Sequence, residues 1–240
     1  GESAMEARLR DEMQVMTNPT LAPYAKEGEC ELRITARAED YHQAIALIAP
    51  VEAQLRGIFG DKVYGADIGS LEEGVLALLK GRKKTFGTAE SCTGGLIAKR
   101  MTDLPGASEV FRGGVVSYAS EVKEGVLGVP AGMLAQYGAV SEPVALAMAE
   151  GARRVLGCDI AVSTTGVAGP DSDDRGNPVG LVYVAIATEQ GAYVRQVRAG
   201  SGRERIRTVA AHHAFDLVRR YLTGLLSFEK ESNQGKLPTA

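Results

Sequence analysis

The chain has 240 residues, of which 45% are hydrophobic and 24% charged, enough to bury a sizeable core as one large domain or two unequal ones. A net charge of −3 and an isoelectric point near 5.8 provide no overall cationic field, which argues against a general role on nucleic acid or at a membrane surface and makes any anion site local. No apolar run nears the ~20 residues of a membrane span and no basic-then-apolar leader opens the chain, while three scattered cysteines, Cys30, Cys92 and Cys158, support neither a disulfide framework nor a metal knuckle; a cytoplasmic protein with reduced thiols is expected.

Apolar residues at helical spacing predict a helix over Ala4 to Val15, which Asn18-Pro19 ends. Because that pattern begins almost at Gly1 with no methionine, the chain reads as a fragment of a longer protein. Cys30 to Ala38 alternates, with Leu32, Ile34 and Ala36 on one face and Glu31, Arg33, Thr35 and Arg37 on the other, the period of a half-buried strand. Asp40 then caps a helix over Tyr41 to Arg56, and Lys62 to Ala66 reads as a second strand. Gly57-Ile58-Phe59-Gly60 fits the bare GXXG of an RNA-binding loop, but between a helix and a strand, and followed by Asp61, it reads as a helix C-cap. Residues 1–66 therefore form a small α+β unit. Its two strands need more apolar cover than one helix provides, so it is expected to dock on a neighbour or a partner subunit.

From residue 67 to 229 helix and strand patterns alternate, which predicts βαβ units in a three-layer α/β/α domain with a mainly parallel sheet. Helices are expected near Ser70 to Lys80, Gly95 to Thr102, Ser120 to Leu127, Ala131 to Tyr137, Glu142 to Leu156 and Glu204 to Ser227. The strands are Lys84 to Ala89, Gly114 to Tyr118, Ile160 to Thr164, Gly180 to Ala187 and Ala192 to Ala199. Residues 230–240 read as a mobile polar tail.

Chemistry gathers where strands end. Ser91, in Ala89-Glu90-Ser91-Cys92-Thr93-Gly94-Gly95, lies between a buried-looking strand and a Gly-Gly helix start, so its hydroxyl sits on a tight turn beside free backbone N–H groups. That setting suits a nucleophile, with the N–H groups near Thr93, Gly94 and Gly95 as an oxyanion hole. A plain helix N-cap would have the same local sequence, and the turn alone leaves both readings open. None of His42, His212 and His213 falls in a strand-end loop, which speaks against a Ser-His-Asp triad. Lys123, at the end of the next βα unit, is the candidate base, because burial could lower its pKa toward neutrality. Tyr118, at the end of the same strand, could relay a proton or position the lysine. Ser163 to Pro170, with Thr165, Gly166, Ala168 and Gly169, follows a β-rich run with small residues that would let a ligand approach the backbone closely, a ribose- or carbonyl-binding loop or simply a turn. Gly200 to Arg207 brings glycines together with Arg203, Arg205 and Arg207 at a helix start, a setting for phosphate, although these odd positions cannot all face one site. Asp171, Asp173 and Asp174 lack the glycine and glutamate of a calcium loop and read as a solvated acidic loop. No metal and no cofactor is required.

With these loops in hand, the sequence from Leu71 to about Leu226 resembles the CinA C-terminal domain family, the nicotinamide mononucleotide (NMN) deamidases. The resemblance rests on five ordered blocks: TAESCTGG (Thr88 to Gly95), SYASEVKEGVLGV (Ser117 to Val129), GAVSEP (Gly138 to Pro143), TGVAGP (Thr165 to Pro170) and NPVGLVYVAI (Asn177 to Ile186). Residues 1 to about 66 look like the KH-type linker domain of full-length CinA proteins, in which a molybdopterin-binding-like domain would precede Gly1. The resemblance implies hydrolysis of the NMN carboxamide to nicotinate mononucleotide and ammonia by a serine and a lysine, which fall on Ser91 and Lys123. It implies an assisting role for Tyr118, a substrate contact for Thr165, a substrate-binding arginine at Arg205 with Arg203 a register away, and a homodimer. The stretch Asp171 to Arg175 departs from the more glycine-rich form of the family. Two rival readings stand beside this one: a nucleotide-binding regulatory or competence-associated domain without turnover, in which Lys123 would have no purpose, and a nucleic-acid adaptor, which the acidic charge balance opposes.

Overall fold

In the computed structural model of the chain, which describes residues 2–26, 29–200 and 202–228, the helix starts follow from their caps. Asp40 accepts a hydrogen bond from the N–H of Gln43 at 2.8 Å and Ser70 from that of Glu73 at 3.3 Å, and each satisfies an N–H that a first helical turn leaves without a partner. The chain divides into two units, Gly1–Ala66 and Asp67–Ala240.

The first unit runs α1 (Glu2–Val15), β1 (Thr20–Lys26), β2 (Glu29–Thr35) and α2 (Tyr41–Phe59). Leu9, Leu21 and Leu55 form its core, with Met5, Met13, Leu32, Ile34, Val51 and Phe59 packed around them. Gly60 closes α2 with a positive φ of 55° and returns its N–H to the Arg56 carbonyl, so the Gly57–Gly60 segment is the helix end expected of it. The second strand is not where the sequence placed it. Lys62 to Ala66 forms no strand: Gly60–Lys62 is a 3₁₀ turn, and Tyr64 is pinned by its hydroxyl, which donates to Glu29 at 2.6 Å. The partner of β2 is β1, antiparallel with Pro23 opposite Leu32. Proline inside a run argues against a central strand, but one side of β1 in this two-stranded sheet has no ladder partner, so a residue without an N–H is tolerated there.

The second unit runs α3 (Leu71–Arg82), β3 (Phe86–Glu90), α4 (Leu96–Thr102), β4 (Phe111–Val116), α5 (Ser120–Gly125), α6 (Ala131–Tyr137), α7 (Glu142–Leu156), β5 (Ile160–Gly166), β6 (Leu181–Thr188), β7 (Gly191–Arg198) and α8 (Arg203–Leu222). The sheet order is β4-β3-β5-β6-β7. β4, β3 and β5 are parallel neighbours, whereas β6 pairs antiparallel with both β5 and β7. The sheet is therefore mixed, with β6 reversed among strands that otherwise share one direction.

Side-chain alternation builds the two outer layers. Ala89, Ala161 and Ala185 turn toward α7, where they meet Met148, Ala152, Ala145 and Ala149. On the other face Phe86 meets Phe215 of α8 with ring centroids 6.4 Å apart. Gly151 of α7 passes so near the loop between α5 and α6 that a Cβ there would lie 2.1 Å from the Leu127 carbonyl oxygen. The crossover from β3 leads to β4 on one side, while β5 lies on the other side and continues to β6, so the chain diverges beyond the ends of β3 and β5. In open α/β sheets that divergence opens a crevice, the usual place for a ligand. The segment 230–240, expected to be a mobile tail, lies outside the described residues, and no described helix is long and apolar enough to cross a membrane.

Candidate active site

β3 is buried throughout and delivers the chain to the crevice at Glu90. The turn that follows uses left-handed backbone at Gly94 (φ 60°) and Gly95 (φ 94°), a region that residues with a Cβ rarely enter. Ser91 continues the ladder, its N–H donating to the Thr164 carbonyl at 2.9 Å. Gly95, the N-cap of α4, has no side chain to cap with. Glu90 replaces it: this buried carboxylate accepts the N–H groups of Ile97 at 3.0 Å and Ala98 at 2.8 Å. Of the three N–H groups expected to form an oxyanion hole, that of Gly94 is taken by the Ser91 carbonyl at 3.1 Å, while among the described residues those of Thr93 and Gly95 bond to nothing.

Lys123, on α5, enters the same crevice with 1% of its surface exposed. Its Nζ lies 3.1 Å from Ser91 Oγ, 2.7 Å from the Ser117 carbonyl oxygen and 3.3 Å from that of Tyr118. Burial lowers its pKa from the ordinary lysine value, and the opposing influence of Cys92 and Glu121 does not prevail. Burial likewise pushes the neighbouring Cys92 thiol up to about 11, so it stays protonated. His212 and His213 lie in the body of α8 and His42 in α2 of the other unit.

Tyr118 serves the lysine through its carbonyl. Its side chain is 63% exposed, beyond the end of β4, and its hydroxyl accepts a hydrogen bond from Arg203 at 3.1 Å. The same guanidinium donates to the Gly169 carbonyl at 2.8 Å, so Arg203 links the Tyr118 and Gly169 loops. Arg205 is exposed and lies along Gly200 instead. Arg207, one turn beyond Arg203, donates Nε and a terminal nitrogen to the Thr93 carbonyl at 3.2 and 2.7 Å. Thr165 directs its hydroxyl to the Ala139 carbonyl at 2.6 Å and so ties the 138–141 loop to the end of β5. Gly166 is small because a Cβ there would come within 2.7 Å of the Leu181 carbonyl oxygen, and Ala168 is buried beside it. In the acidic loop Asp173 accepts hydrogen bonds from the backbone of Arg175 and Asn177 and from the Asn177 side chain, which makes it a staple for the loop. Among the described residues no group of three His, Cys, Asp or Glu side chains is placed to hold a metal.

Sequence reasoning assigned no role to Glu90 or the Ser117 carbonyl, and it placed Thr164 in a ligand loop and Arg207 in a phosphate setting rather than on Thr93. Only Glu90 left a signal, an acid at the end of a buried strand just before a helix with no capping side chain. The others act through partners that local sequence does not reveal.

The chain matches the family described as the CinA C-terminal domain over residues 68–222 and that described as the damage-inducible protein CinA KH domain over residues 1–65. It is 46% identical over 228 residues to a CinA-like protein of Desulfovibrio desulfuricans, covering 94% of this chain and 53% of the relative. It is 49% identical over 231 residues to a CinA-like protein of Frankia casuarinae, covering 95% and 53%. The chain thus spans about half the length of the curated relatives it matches. Among solved structures it is similar to the competence/damage inducible protein CihA of Agrobacterium tumefaciens (TM-score 0.62, 36% identity, 67% of this chain and 98% of that one). A competence-damaged protein (CinA) superfamily protein of Klebsiella pneumoniae gives TM-score 0.63 at 31% identity, over 64% and 96%.

Proposed function

Because the chain belongs to the CinA family, joining its KH domain to its C-terminal domain, we propose that it is an amidohydrolase that converts NMN to nicotinate mononucleotide and ammonia through Ser91 and Lys123. The observation that carries this reading is the cradle around the lysine. A charged Nζ has three hydrogens, and three acceptors surround it: Ser91 Oγ and the carbonyls of Ser117 and Tyr118. A neutral Nζ has two hydrogens and a lone pair. The two carbonyls accept the hydrogens, and the lone pair is left for the Ser91 hydroxyl. The cradle satisfies both states, as a group that takes up and returns a proton requires, and burial favours the neutral one.

In the reaction Ser91 Oγ attacks the carboxamide carbon as its proton passes to Lys123. The N–H groups of Thr93 and Gly95 stabilise the resulting oxyanion, each such donor contributing about 3 kcal/mol. The C–N bond then breaks, Lys123 protonates the departing nitrogen, and ammonia leaves an acyl group on Ser91. A water molecule then gives a proton to Lys123 and attacks the acyl carbon, the bond to Ser91 Oγ breaks as Lys123 returns that proton to Oγ, and the acid leaves and ionises to the carboxylate. Arg203, which links the Tyr118 and Gly169 loops, is the residue to which this reading assigns the phosphate of the mononucleotide.

The test is ammonia release from NMN by the purified chain, with Ser91→Ala and Lys123→Met beside it. Turnover by the wild type and its loss in both variants is expected. A folded wild-type chain that binds NMN and releases no ammonia would overturn the enzyme in favour of a nucleotide-binding domain. A mass adduct on Ser91 after rapid quenching separates the covalent route from one in which the serine only orients water.

A further inference from the structure

Thr164, near the end of β5, reaches the nucleophile turn at two residues. Its carbonyl accepts the Ser91 N–H at 2.9 Å, and its hydroxyl lies 2.7 Å from Thr93 Oγ1. Both Thr164 and Thr93 are fully buried, so neither hydroxyl has water to turn to. The sheet does not require this hydroxyl. Ile160 and Val162, on the same face of β5, are apolar and fully buried, and a valine, β-branched like threonine, would fill the Thr164 site with similar shape and strand preference.

We propose that Thr164 is a positioning residue for the nucleophile turn: its hydroxyl fixes Thr93, and through it the places of Ser91 Oγ and of the Thr93 and Gly95 N–H groups during turnover. Arg207 already holds the Thr93 carbonyl from α8. The Thr164 hydroxyl supplies the second anchor, from the sheet. Two anchors matter here because α4 has only seven residues and is too short to hold a turn in place by its own helical stability. The function assigned to Thr164 rests on the hydrolytic reading above.

Thr164→Val removes the hydroxyl and keeps the carbonyl that receives Ser91. In the full chain it is expected to lower kcat for NMN about 10- to 100-fold, as small displacements of reacting groups do, with KM little changed. The position of the kcat/KM pH profile stays where it was, since the carbonyls that hold Lys123 are untouched. Thr164→Ser restores kcat. Thr93→Val reproduces the loss, and the double variant Thr93→Val/Thr164→Val is no worse than either single one, because the two hydroxyls act as a pair. Amide exchange in a peptide spanning residues 91–96 speeds up in Thr164→Val and recovers in Thr164→Ser. Wild-type kcat in Thr164→Val, or a loss that Thr164→Ser does not recover, overturns the proposal. Should the wild-type chain release no ammonia, the hydrolytic reading falls, and amide exchange still decides on Thr164: unchanged exchange in Thr164→Val refutes its hold on the turn.

Discussion

Replacing Lys123 by methionine separates the energetic burden of this amine from its chemistry. Methionine has a similar length and no charge, so the cavity stays filled, but the carbonyls of Ser117 and Tyr118 lose the donor that lies 2.7 and 3.3 Å away. Each orphaned acceptor costs about 1–3 kcal/mol, set against the relief of no longer burying an amine. The pH dependence of that balance is the sharper quantity. Burial holds the native pKa of Lys123 below the value it has in the unfolded chain. At pH values under both, native and unfolded states are protonated and the native state carries the whole penalty. Between the two, the unfolded chain binds a proton that the native chain does not, and stability rises with pH by up to about 1.4 kcal/mol per unit. Above both the penalty has gone. Lys123→Met lacks this contribution, so the stability difference between the proteins shifts toward the wild type as pH rises through that window. Urea unfolding followed by circular dichroism from pH 6 to 10 measures it. Parallel pH curves for the two proteins would refute both the depressed pKa and the neutral base built on it.

The same lowered pKa sets the rate. kcat/KM for NMN is expected to climb with pH as Lys123 loses its proton, with a midpoint below the ordinary lysine range, and a profile flat from pH 6 to 10 would contradict a lysine base. Arg203→Ala is expected to raise KM for NMN about 10- to 100-fold, the worth of a charged hydrogen bond to phosphate, while Arg205→Ala changes it much less; steady-state kinetics of the two variants checks the order. Gly151→Ala would set a methyl group 2.1 Å from the Leu127 carbonyl oxygen, forcing α7 and the loop apart at a cost of about 1–3 kcal/mol, read as a lowered thermal midpoint.

Much of this architecture was legible because its determinants are local. Asp40 and Ser70 announce their helices by the N–H groups they accept, and the Glu142–Leu156 helix ends where Gly157 turns to left-handed backbone at φ 58°. β1 was hidden by Pro23, whose tolerance depends on the unpaired side of a two-stranded sheet, a property of the assembled unit. The Lys62–Ala66 segment has strand-like composition, but the Tyr64 hydroxyl finds Glu29 across the unit and no ladder forms. At the candidate site Ser91 could be picked out by the Gly-Gly turn that follows a buried strand, and Lys123 by its place in the next βα unit. The acceptors that shape the lysine are backbone carbonyls, which every residue has. Nor does an arginine in a helix disclose that it grips a carbonyl 114 positions earlier in the chain, as Arg207 does with Thr93.

The carboxylate of Glu90 has a bearing on how such a chain can vary. By bonding to Ile97 and Ala98, seven and eight positions further on, it joins the end of a strand to the start of a helix and makes the segment between them a closed ring. A ring of this kind admits changes of side chain wherever space permits, but not of residue number. One residue added or removed between Ser91 and Leu96 would pull the helix N–H groups off the carboxylate and turn the serine away from the lysine together. The length of this segment is thus as much a part of the site as its chemistry, and lineages that keep the dyad should keep the spacing as well as the two glycines whose left-handed backbone makes the turn.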